Sequence, residues 1–253
     1  MNLAIIVLAA GKGTRMESDL AKVLHSLCGK PLIAWVLDTI RTLEPQRTVV
    51  VVGHQAEKVE AAVRERFVDS SNIEFVTQSR QLGTGHAVQQ TQELLHDFNG
   101  DIIVMGGDSP LIEAATLRHL VEKRRRDGAA ASMLIAQVQD PGNYGRVLLE
   151  ADGSVQRIVE AKDADAEVRA CKNINAGTYC FESSALWQQL ARINNQNKSG
   201  EYYLTDVVGL LTEAGERVEA VVVAEREITG INTRAELGAL EAQLREEGVC
   251  TDV

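Results

Sequence analysis

Apolar, strand-like runs alternate with amphipathic helical patterns through the first 140 residues of this chain. The runs are rich in β-branched side chains and cover residues 3–10, 48–52, 73–77, 101–105 and 130–138. Apolar residues at three- and four-residue spacing between them predict helices over residues 32–43, 57–67, 85–95 and 114–126. This alternation favours right-handed βαβ units, so we expect an α/β chain with a doubly wound, mostly parallel sheet.

The pattern changes after residue 140, where shorter strand-like runs follow one another. Residues 146–149 and 155–159 flank the segment Ala-Asp-Gly-Ser, which predicts a β-hairpin, and residues 174–181 predict a further strand. We expect these runs to form a small, β-rich lobe over the edge of the sheet. The closing segment 233–247 begins with Thr-Arg-Ala-Glu, which has capping-box spacing, and continues as an amphipathic helix.

The first strand-like run leads directly into a loop that holds two glycines and two cations. In LAIIVLAAGKGTRM, residues 3–16, Gly11 and Gly13 remove side chains where a ligand would touch backbone N–H groups. Lys12 and Arg15 place positive charge beside those groups. The loop therefore predicts a phosphate cradle, and with it a nucleotide ligand.

Three known kinds of glycine-rich loop follow a strand in nucleotide-binding proteins. A Walker A loop needs four residues between its first glycine and a Gly-Lys-Ser/Thr ending, which this loop lacks. A dinucleotide fingerprint needs a third glycine where Met16 stands and an acidic residue where residues 49–54 read VVVVGH. The loop of a nucleotidyltransferase, which wraps a triphosphate and carries a basic residue after its glycines, fits better. A tight turn with incidental charges is the alternative.

Two further strand ends pass through glycines. In QSRQLGTGHA, residues 78–87, Gly83 permits close approach to a flat base and Gln78 can pair with its edge. The alternative is a glycine turn capped by Thr84. In IIVMGGDSPLI, residues 102–112, Asp108 at the strand tip suits Mg²⁺, which takes one or two carboxylates together with phosphate oxygens. The alternative is that Asp108 only caps the turn before Pro110.

Charge and composition exclude some classes of protein. The formal net charge of −10 argues against a nucleic-acid partner, and the basic run at residues 123–126 lies at the end of a helix, where cations suit the dipole. An acidic chain that binds a nucleotide must cluster its cations or recruit a divalent metal. No apolar run has membrane-spanning length and no secretory signal is present, so we expect a cytoplasmic protein without a membrane partner.

The four cysteines are scattered and lack the close spacing of zinc ligands. We expect Cys28, Cys171, Cys180 and Cys250 to be small buried residues or free thiols, with no disulfide framework.

The motifs together resemble a known family over essentially the whole chain. They are LAAGKGTRM, SDLAKVLH, QLGTGHA, GGDSPLI, DPGNYGRV, INAGTYCF, NNQNKSGEYYLTD and TGINTRAEL, in that order. The chain resembles bacterial N-acetylglucosamine-1-phosphate uridylyltransferases, and the first motif alone marks only the wider sugar-phosphate nucleotidyltransferase superfamily. In that family the domain is normally fused to a β-helix acetyltransferase, whose hexapeptide repeats this sequence does not contain.

The resemblance implies a Rossmann-like nucleotidyltransferase sheet with a small sugar-binding lobe. It divides residues 1–232 into a nucleotide-binding half, 1–139, and a sugar-binding half, 140–232, followed by a C-terminal helix, 233–253. It implies that Arg15 and Lys22 are catalytic and meet the phosphates, and that Asp108 and Asn232 hold Mg²⁺. The other implied contacts are Leu8, Ala9, Ala10, Gly11, Gln78, Gly83, Thr84, Gly106 and Gly107 for the nucleotide, and Gly145, Glu160 and Asn175 for the sugar.

The chain departs from the family pattern at four positions. Ala21 replaces a proline before Lys22, and Gly106 stands where a tyrosine is frequent. Ala176 replaces a threonine, and Thr233 replaces an amide or acid. None of these changes removes a charged or metal-binding group.

The implied reaction is transfer of UMP from UTP to N-acetylglucosamine-1-phosphate, which would feed peptidoglycan and lipopolysaccharide synthesis. The sugar phosphate is already an oxyanion at neutral pH, so none of the five histidines is needed as a base. The alternatives are another sugar-1-phosphate uridylyltransferase, a cytidylyltransferase or guanylyltransferase that shares the first loop, and a catalytically silent regulatory domain of the same fold. The oligomeric state is left open.

Overall fold

The sheet strands follow the expected alternation, with additional short elements. The computed structural model describes residues 2–68, 71–228 and 230–250. The strands are β1 (Leu3–Ala9), β2 (Ser26–Leu27), β3 (Lys30–Pro31), β4 (Arg47–Val52), β5 (Ile73–Thr77), β6 (Asp101–Gly106), β7 (Ala131–Gln137), β8 (Arg146–Leu149), β9 (Val155–Val159), β10 (Asn173–Glu182) and β11 (Val218–Val222).

Helices flank these strands, and two 3₁₀ turns, Thr14–Met16 and Lys22–Leu24, follow β1. The helices are α1 (Leu32–Arg41), α2 (Ala56–Arg66), α3 (Thr84–Gln89), α4 (Gln92–Leu95), α5 (Ala114–Arg126), α6 (Ala166–Arg169), α7 (Ser183–Leu190), α8 (Thr205–Glu213), α9 (Glu225–Ile228) and α10 (Arg234–Glu246). In the part of the chain that the structure describes, no helix has the length and apolarity to cross a membrane.

One nine-stranded sheet joins both halves of the chain. Its main path runs β11-β7-β10-β6-β1-β4-β5, and the β8–β9 hairpin attaches through β10. The pairs β6–β1, β1–β4, β4–β5 and β11–β7 are parallel, whereas β10 runs antiparallel to both β6 and β7. The doubly wound, mostly parallel α/β fold is therefore confirmed. The expectation that residues 174–181 belong to a lobe over the sheet edge was wrong, because β10 from the second half pairs with both β6 and β7 inside the main sheet.

Both faces of the sheet are buried, which explains the continuous apolar runs. On β1, Ile5 and Val7 pack in one cluster with residues of α1, α2 and α5, while Ala4 and Ile6 pack in another with residues of α7 and α8. Successive side chains of a strand point to opposite faces, so each apolar residue of β1 has a core to enter. The strand is thereby a rigid base for the loop at its carboxyl end.

Some sequence predictions need correction. The helix expected over residues 85–95 is broken into α3 and α4, and the Thr91 hydroxyl donates to the Val88 carbonyl at the break. The C-terminal helix is confirmed as α10, with a full capping box between Thr233 and Glu236. Residues 251–253 of the 233–253 segment, Met1 of the first half and Thr229 of the last motif lie outside the described residues.

The basic run at residues 123–126 has a more specific role than the helix dipole. Arg124 and Arg125 form ion pairs with Asp101, which is fully buried at the start of β6. Lys123 pairs with Asp127 and with the buried Glu219 of β11. These cations neutralise carboxylates inside the fold, so the run does not form a free basic face.

The expectation that all four cysteines are unpaired was wrong. Cys28, in the β2–β3 hairpin, and Cys250, just after α10, form a disulfide with a Cα–Cα distance of 5.2 Å. The two lie 222 residues apart, so spacing gave no hint of the pair. They meet because Leu240 and Leu244 of α10 pack on Leu27 of the hairpin. Cys171 and Cys180 are free, as expected.

The Cys250→Ser protein is expected to be less stable than the oxidised wild type by about 2–4 kcal/mol, because the bridge restricts the unfolded chain. Urea denaturation monitored by circular dichroism would measure this difference. Wild type with a thiol reductant should match Cys250→Ser under the same conditions. Equal midpoints for oxidised and reduced wild type would show that the bridge contributes nothing.

Candidate active site

The loop after β1 closes over itself because Gly13 has no side chain. Gly13 adopts a left-handed conformation with φ 64°, and a Cβ at this position would come within 2.6 Å of Lys22 Cβ. The segment that carries Lys22 therefore packs directly on the glycine loop. Met16 is fully buried and anchors the 3₁₀ turn, so that Arg15 is presented at the surface.

Part of the backbone at the end of β1 is already hydrogen-bonded to segments that follow the neighbouring strands. The Leu8 carbonyl accepts from Gly107 N over 3.0 Å, and the Ala10 carbonyl accepts from His54 N over 3.2 Å. Ala9 is buried, whereas Gly11 is exposed and has open space where a Cβ would stand. Of residues 8–11, Gly11 is thus the position at which a ligand has free access to the backbone.

Four predicted site residues from three distant segments meet beside this loop. Lys22 Nζ forms an ion pair with Asp108 and donates to Asn232 Oδ1 over 2.7 Å. Arg15 Nη2 donates to the same Asn232 oxygen over 2.8 Å. The structure therefore brings together two cations, one carboxylate and one amide, at the carboxyl ends of β1 and β6.

Asn232 is positioned by the start of α10. The Ile231 N–H donates to the Asp108 carbonyl over 3.1 Å, which ties this segment to the tip of β6. Glu236 Oε2 accepts from Asn232 N over 2.6 Å and from Thr233 N over 3.0 Å. Thr233, which departs from the family pattern, serves as the helix N-cap. The capping-box spacing predicts this helix start, but it does not indicate that the cap orients a site residue.

The oxygens of Asp108 and Asn232 fit a divalent cation. Both already contact one cation, the Lys22 ammonium, so a single ion can bridge them. Carboxylate and amide oxygens are ligands that Mg²⁺ accepts, with phosphate oxygens and water completing the octahedron. No cluster of three or more His, Cys, Asp or Glu side chains suited to a metal occurs among the described residues. A metal here would therefore depend on ligands from the substrate.

Gly106 leaves room for the Asp108 carboxylate. A Cβ at Gly106 would lie 2.3 Å from Asp108 Oδ1. A tyrosine at position 106, which is frequent in the family, would therefore collide with the Asp108 carboxylate in its present orientation. The neighbouring Gly107 is also confined, because its Cβ would lie 3.3 Å from Val7 and Val23.

The second glycine patch is clamped by the segment that precedes α8. Gly85 N donates to the Tyr202 carbonyl over 2.8 Å, and Tyr202 N donates to the Leu82 carbonyl over 2.7 Å. Thr84 Oγ1 accepts from Leu204 N over 3.0 Å. Thr84 thus joins two segments about 120 residues apart, in addition to its place in the glycine turn.

Gln78 is only 3% exposed and supports the patch from inside. Its Nε2 donates to the Gly83 carbonyl and approaches His86 Nδ1, each over 3.0 Å. Burial, with a smaller contribution from Arg80, lowers the pKa of His86. The Gln78 amide donor is therefore already engaged within the protein.

The Gly83→Ala protein is expected to be about 1–3 kcal/mol less stable than wild type, since Gly83 has a positive φ. Its φ is 112°, and a Cβ would lie 2.4 Å from the Tyr202 carbonyl oxygen. Gly209→Ala is the matched control, because Gly209 lies inside α8 with open space around it. Thermal unfolding of both variants would test this. A Gly83→Ala midpoint at or above that of Gly209→Ala would contradict the strain.

The three residues predicted for the sugar lie next to one another. Asn175 N donates to the Gly145 carbonyl over 2.9 Å. A Cβ on Gly145 would lie 3.5 Å from both Asn175 Cβ and Glu160 Oε2. The Asn175 side chain is oriented by Tyr179 Oη and by Gly177 N, at an irregularity in β10. A side chain at position 145 would narrow the space between Glu160 and Asn175.

Glu160 has a partner that the sequence reasoning did not assign. Thr205 Oγ1 donates to Glu160 Oε1 over 3.1 Å. Burial raises the pKa of Glu160, the Thr205 hydrogen bond partly offsets this, and the nearby Asp163 and Asp206 raise the pKa further. The only sequence feature that marks Thr205 is its place in the KSGEYYLTD motif. That motif does not assign a role to any single residue.

Two cavities adjoin these groups. One of about 660 Å³ is lined by Glu160 and Thr205, and another of about 430 Å³ is lined by Arg15, Asp108 and Asn232. Gly145 and Asn175 line neither of them. The cation cluster and the group around Glu160 therefore each open to a cavity large enough for part of a small molecule.

Comparison with known proteins shows the family to which the chain belongs. A family model described as nucleotidyl transferase matches residues 4–226. "Bifunctional protein GlmU" of Shouchella clausii (strain KSM-K16) is 45% identical over 242 residues, which are 95% of this chain and 52% of that protein. The protein of the same name from Synechococcus sp. (strain RCC307) is 44% identical over 244 residues, or 96% and 53%. The chain thus spans about half the length of these relatives.

A solved structure shares the fold. The structure titled "The Crystal Structure of UDP-glucose pyrophosphorylase complexed with UDP-glucose" aligns over 98% of this chain and 100% of that one, with a TM-score of 0.81 and 17% identity. At that identity the likeness concerns the fold alone. The sequence relatives confirm the resemblance that the motifs indicated. The chain belongs to the nucleotidyl transferase family, and it is a nucleotidyltransferase enzyme.

Proposed function

We propose that the protein transfers UMP from UTP to N-acetylglucosamine-1-phosphate, giving UDP-N-acetylglucosamine and pyrophosphate. The observation that carries this proposal is the meeting of Arg15, Lys22, Asp108 and Asn232 beside the glycine loop. Two cations and a pair of metal-binding oxygens at one point suit a reaction between two phosphate groups. A silent regulatory domain would have no need of such a cluster.

The main obstacle to the reaction is repulsion between two anions. The sugar phosphate attacks the α-phosphorus as an oxyanion, because its second pKa lies near 6, as for phosphoserine. Like charges about 4 Å apart repel by about 4 kcal/mol at an effective dielectric constant near 20. Arg15 and Lys22 would offset this repulsion and orient the phosphates for in-line attack. Mg²⁺, held by Asp108 and Asn232, would supply further charge neutralisation when bound.

We assign the two substrates to opposite sides of the cation cluster. Gln78, Gly83 and Thr84 would frame the uracil and ribose, and the backbone of residues 8–11 would follow the nucleotide. Gly145, Glu160 and Asn175 would contact the acetylated sugar, and their proximity supports one shared role. Residues 1–139 would thus supply the nucleotide site and residues 140–232 the sugar site. We propose no nucleic-acid or membrane partner and a cytoplasmic location.

Nucleotide choice tests the proposed reaction class. Pyrophosphate release would be measured with UTP, CTP, GTP and ATP, each with N-acetylglucosamine-1-phosphate and with or without Mg²⁺. We expect release with UTP in the presence of Mg²⁺, and loss of release when EDTA is added. Preference for CTP or GTP would contradict the assignment of the Gln78 patch to uracil. Release that is unaffected by EDTA would contradict the metal.

A further inference from the structure

The ammonium of Lys22 contacts both side chains that we assign to a divalent cation. Its Nζ forms an ion pair with Asp108 Oδ2 and donates to Asn232 Oδ1 over 2.7 Å. Asp108 and Asn232 lie on separate segments of the chain. A cation that bridges them therefore stands close to where a metal bound to both would stand.

This ion pair is partly shielded from water. The side chain of Lys22 is 15% exposed and that of Asp108 is 25% exposed. Among residues 2–68, 71–228 and 230–250, Lys22 is the cation paired with Asp108, and Arg15 bonds to Asn232 instead. A partly buried carboxylate is unfavourable without a cation beside it. In the absence of a metal, the Asp108 carboxylate is therefore stabilised by a counter-ion.

We propose that Lys22 is the resident counter-ion of the divalent-cation site and leaves it when a metal enters. This inference rests on the proposed function, which assigns the metal to Asp108 and Asn232. Two cations in contact with one carboxylate repel each other strongly. Entry of a metal therefore releases the lysine ammonium, which becomes available to the nucleotide phosphates.

Lys22 is placed to make this exchange without a change in its backbone. Its Cβ lies against Gly13, so the side chain starts beside the phosphate loop. The flexible four-carbon stem of lysine allows the ammonium to point either to Asp108 or toward a nucleotide. Binding of metal and binding of nucleotide then strengthen each other, because each favours the displaced lysine.

Binding of Mn²⁺ to the nucleotide-free full chain tests the exchange without any need for turnover. Free Mn²⁺ would be measured by electron paramagnetic resonance during a titration. We expect Lys22→Met to bind Mn²⁺ about tenfold or more tightly than wild type, because the competing ammonium is gone. Asp108→Asn combined with Lys22→Met should abolish this tight binding. Circular dichroism would verify that each variant is folded, and Lys22→Gln provides a second variant with the same expected result.

A matched control separates exchange from a simple change of net charge. Lys12→Met removes one positive charge from the same loop, and Lys12 is not the residue paired with Asp108. We expect Lys12→Met to bind Mn²⁺ much as wild type does. Equal tightening in Lys12→Met and Lys22→Met, or no tightening in Lys22→Met, would overturn the exchange. Failure of the proposed function would appear differently, as wild-type protein that releases no pyrophosphate while Lys22→Met still binds Mn²⁺ more tightly.

Discussion

Replacement of Arg15 by alanine is expected to lower turnover at saturating substrates by about a hundredfold or more, the effect of removing a pre-organised transition-state donor. Arg15 lies on an anchored 3₁₀ turn, and its Nη2 contacts Asn232 Oδ1 at the centre of the cation cluster. Charge on the phosphates grows and shifts as the bond to the leaving pyrophosphate breaks. A fixed guanidinium therefore contributes more to the transition state than to the ground state.

The change should appear in kcat, with a smaller effect on KM, because the lost interaction strengthens in the transition state. Arg64→Ala is the matched control, since Arg64 is exposed on α2, where it pairs with Glu60 and lies over the Phe75 ring. It removes the same charge far from the cluster and should leave turnover unchanged. An Arg15→Ala protein with near wild-type kcat would show that Arg15 does not act on the reacting phosphates.

The Asp108→Asn protein is expected to lose both rate and metal response. Asparagine preserves the shape of the side chain but removes the one charged oxygen ligand assigned to the metal. Metal affinity depends strongly on ligand charge, so the Mg²⁺ concentration for half-maximal rate should rise by about tenfold or more. The substitution also leaves the Lys22 ammonium without its carboxylate partner.

Initial rates measured over a wide range of Mg²⁺ concentrations would test this expectation. Asp97→Asn is the control, because Asp97 is 71% exposed and its partner Arg47 lies at the start of β4. It should retain the wild-type response to Mg²⁺. An unchanged response in Asp108→Asn would place the metal at other ligands and would also remove the basis for the proposed exchange with Lys22.

Much of the fold was predictable because it rests on local patterns. The bounds of β5, β8, β9 and α5 agree with the sequence predictions at both ends. Strands buried on both faces leave continuous apolar runs, which are easy to recognise. The elements α7, α8 and β11 were not predicted. The insertion of β10 between β6 and β7 depends on contacts between distant segments, which no local pattern reports.

Some residues of the candidate site were also predictable from local patterns, and others were not. Arg15 and Asp108 stand in short motifs at strand ends, where composition alone points to phosphate and metal. Asn232 came only from the family resemblance, since a lone asparagine before a helix has no distinctive pattern. Its contacts with Arg15 and Lys22 join residues more than 200 positions apart. The Cys28–Cys250 bridge was missed for the same reason.

Acceptor choice is the most direct test of the central claim, transfer to an acetylated amino-sugar phosphate. Mg²⁺-dependent pyrophosphate release from UTP would be compared with N-acetylglucosamine-1-phosphate, with glucose-1-phosphate and without acceptor, and mass spectrometry would identify each product. We expect UDP-N-acetylglucosamine and pyrophosphate in equal amounts from the first mixture and little from the others. Release of pyrophosphate with glucose-1-phosphate instead would contradict the sugar assignment. No release of pyrophosphate in any mixture would contradict the proposed activity.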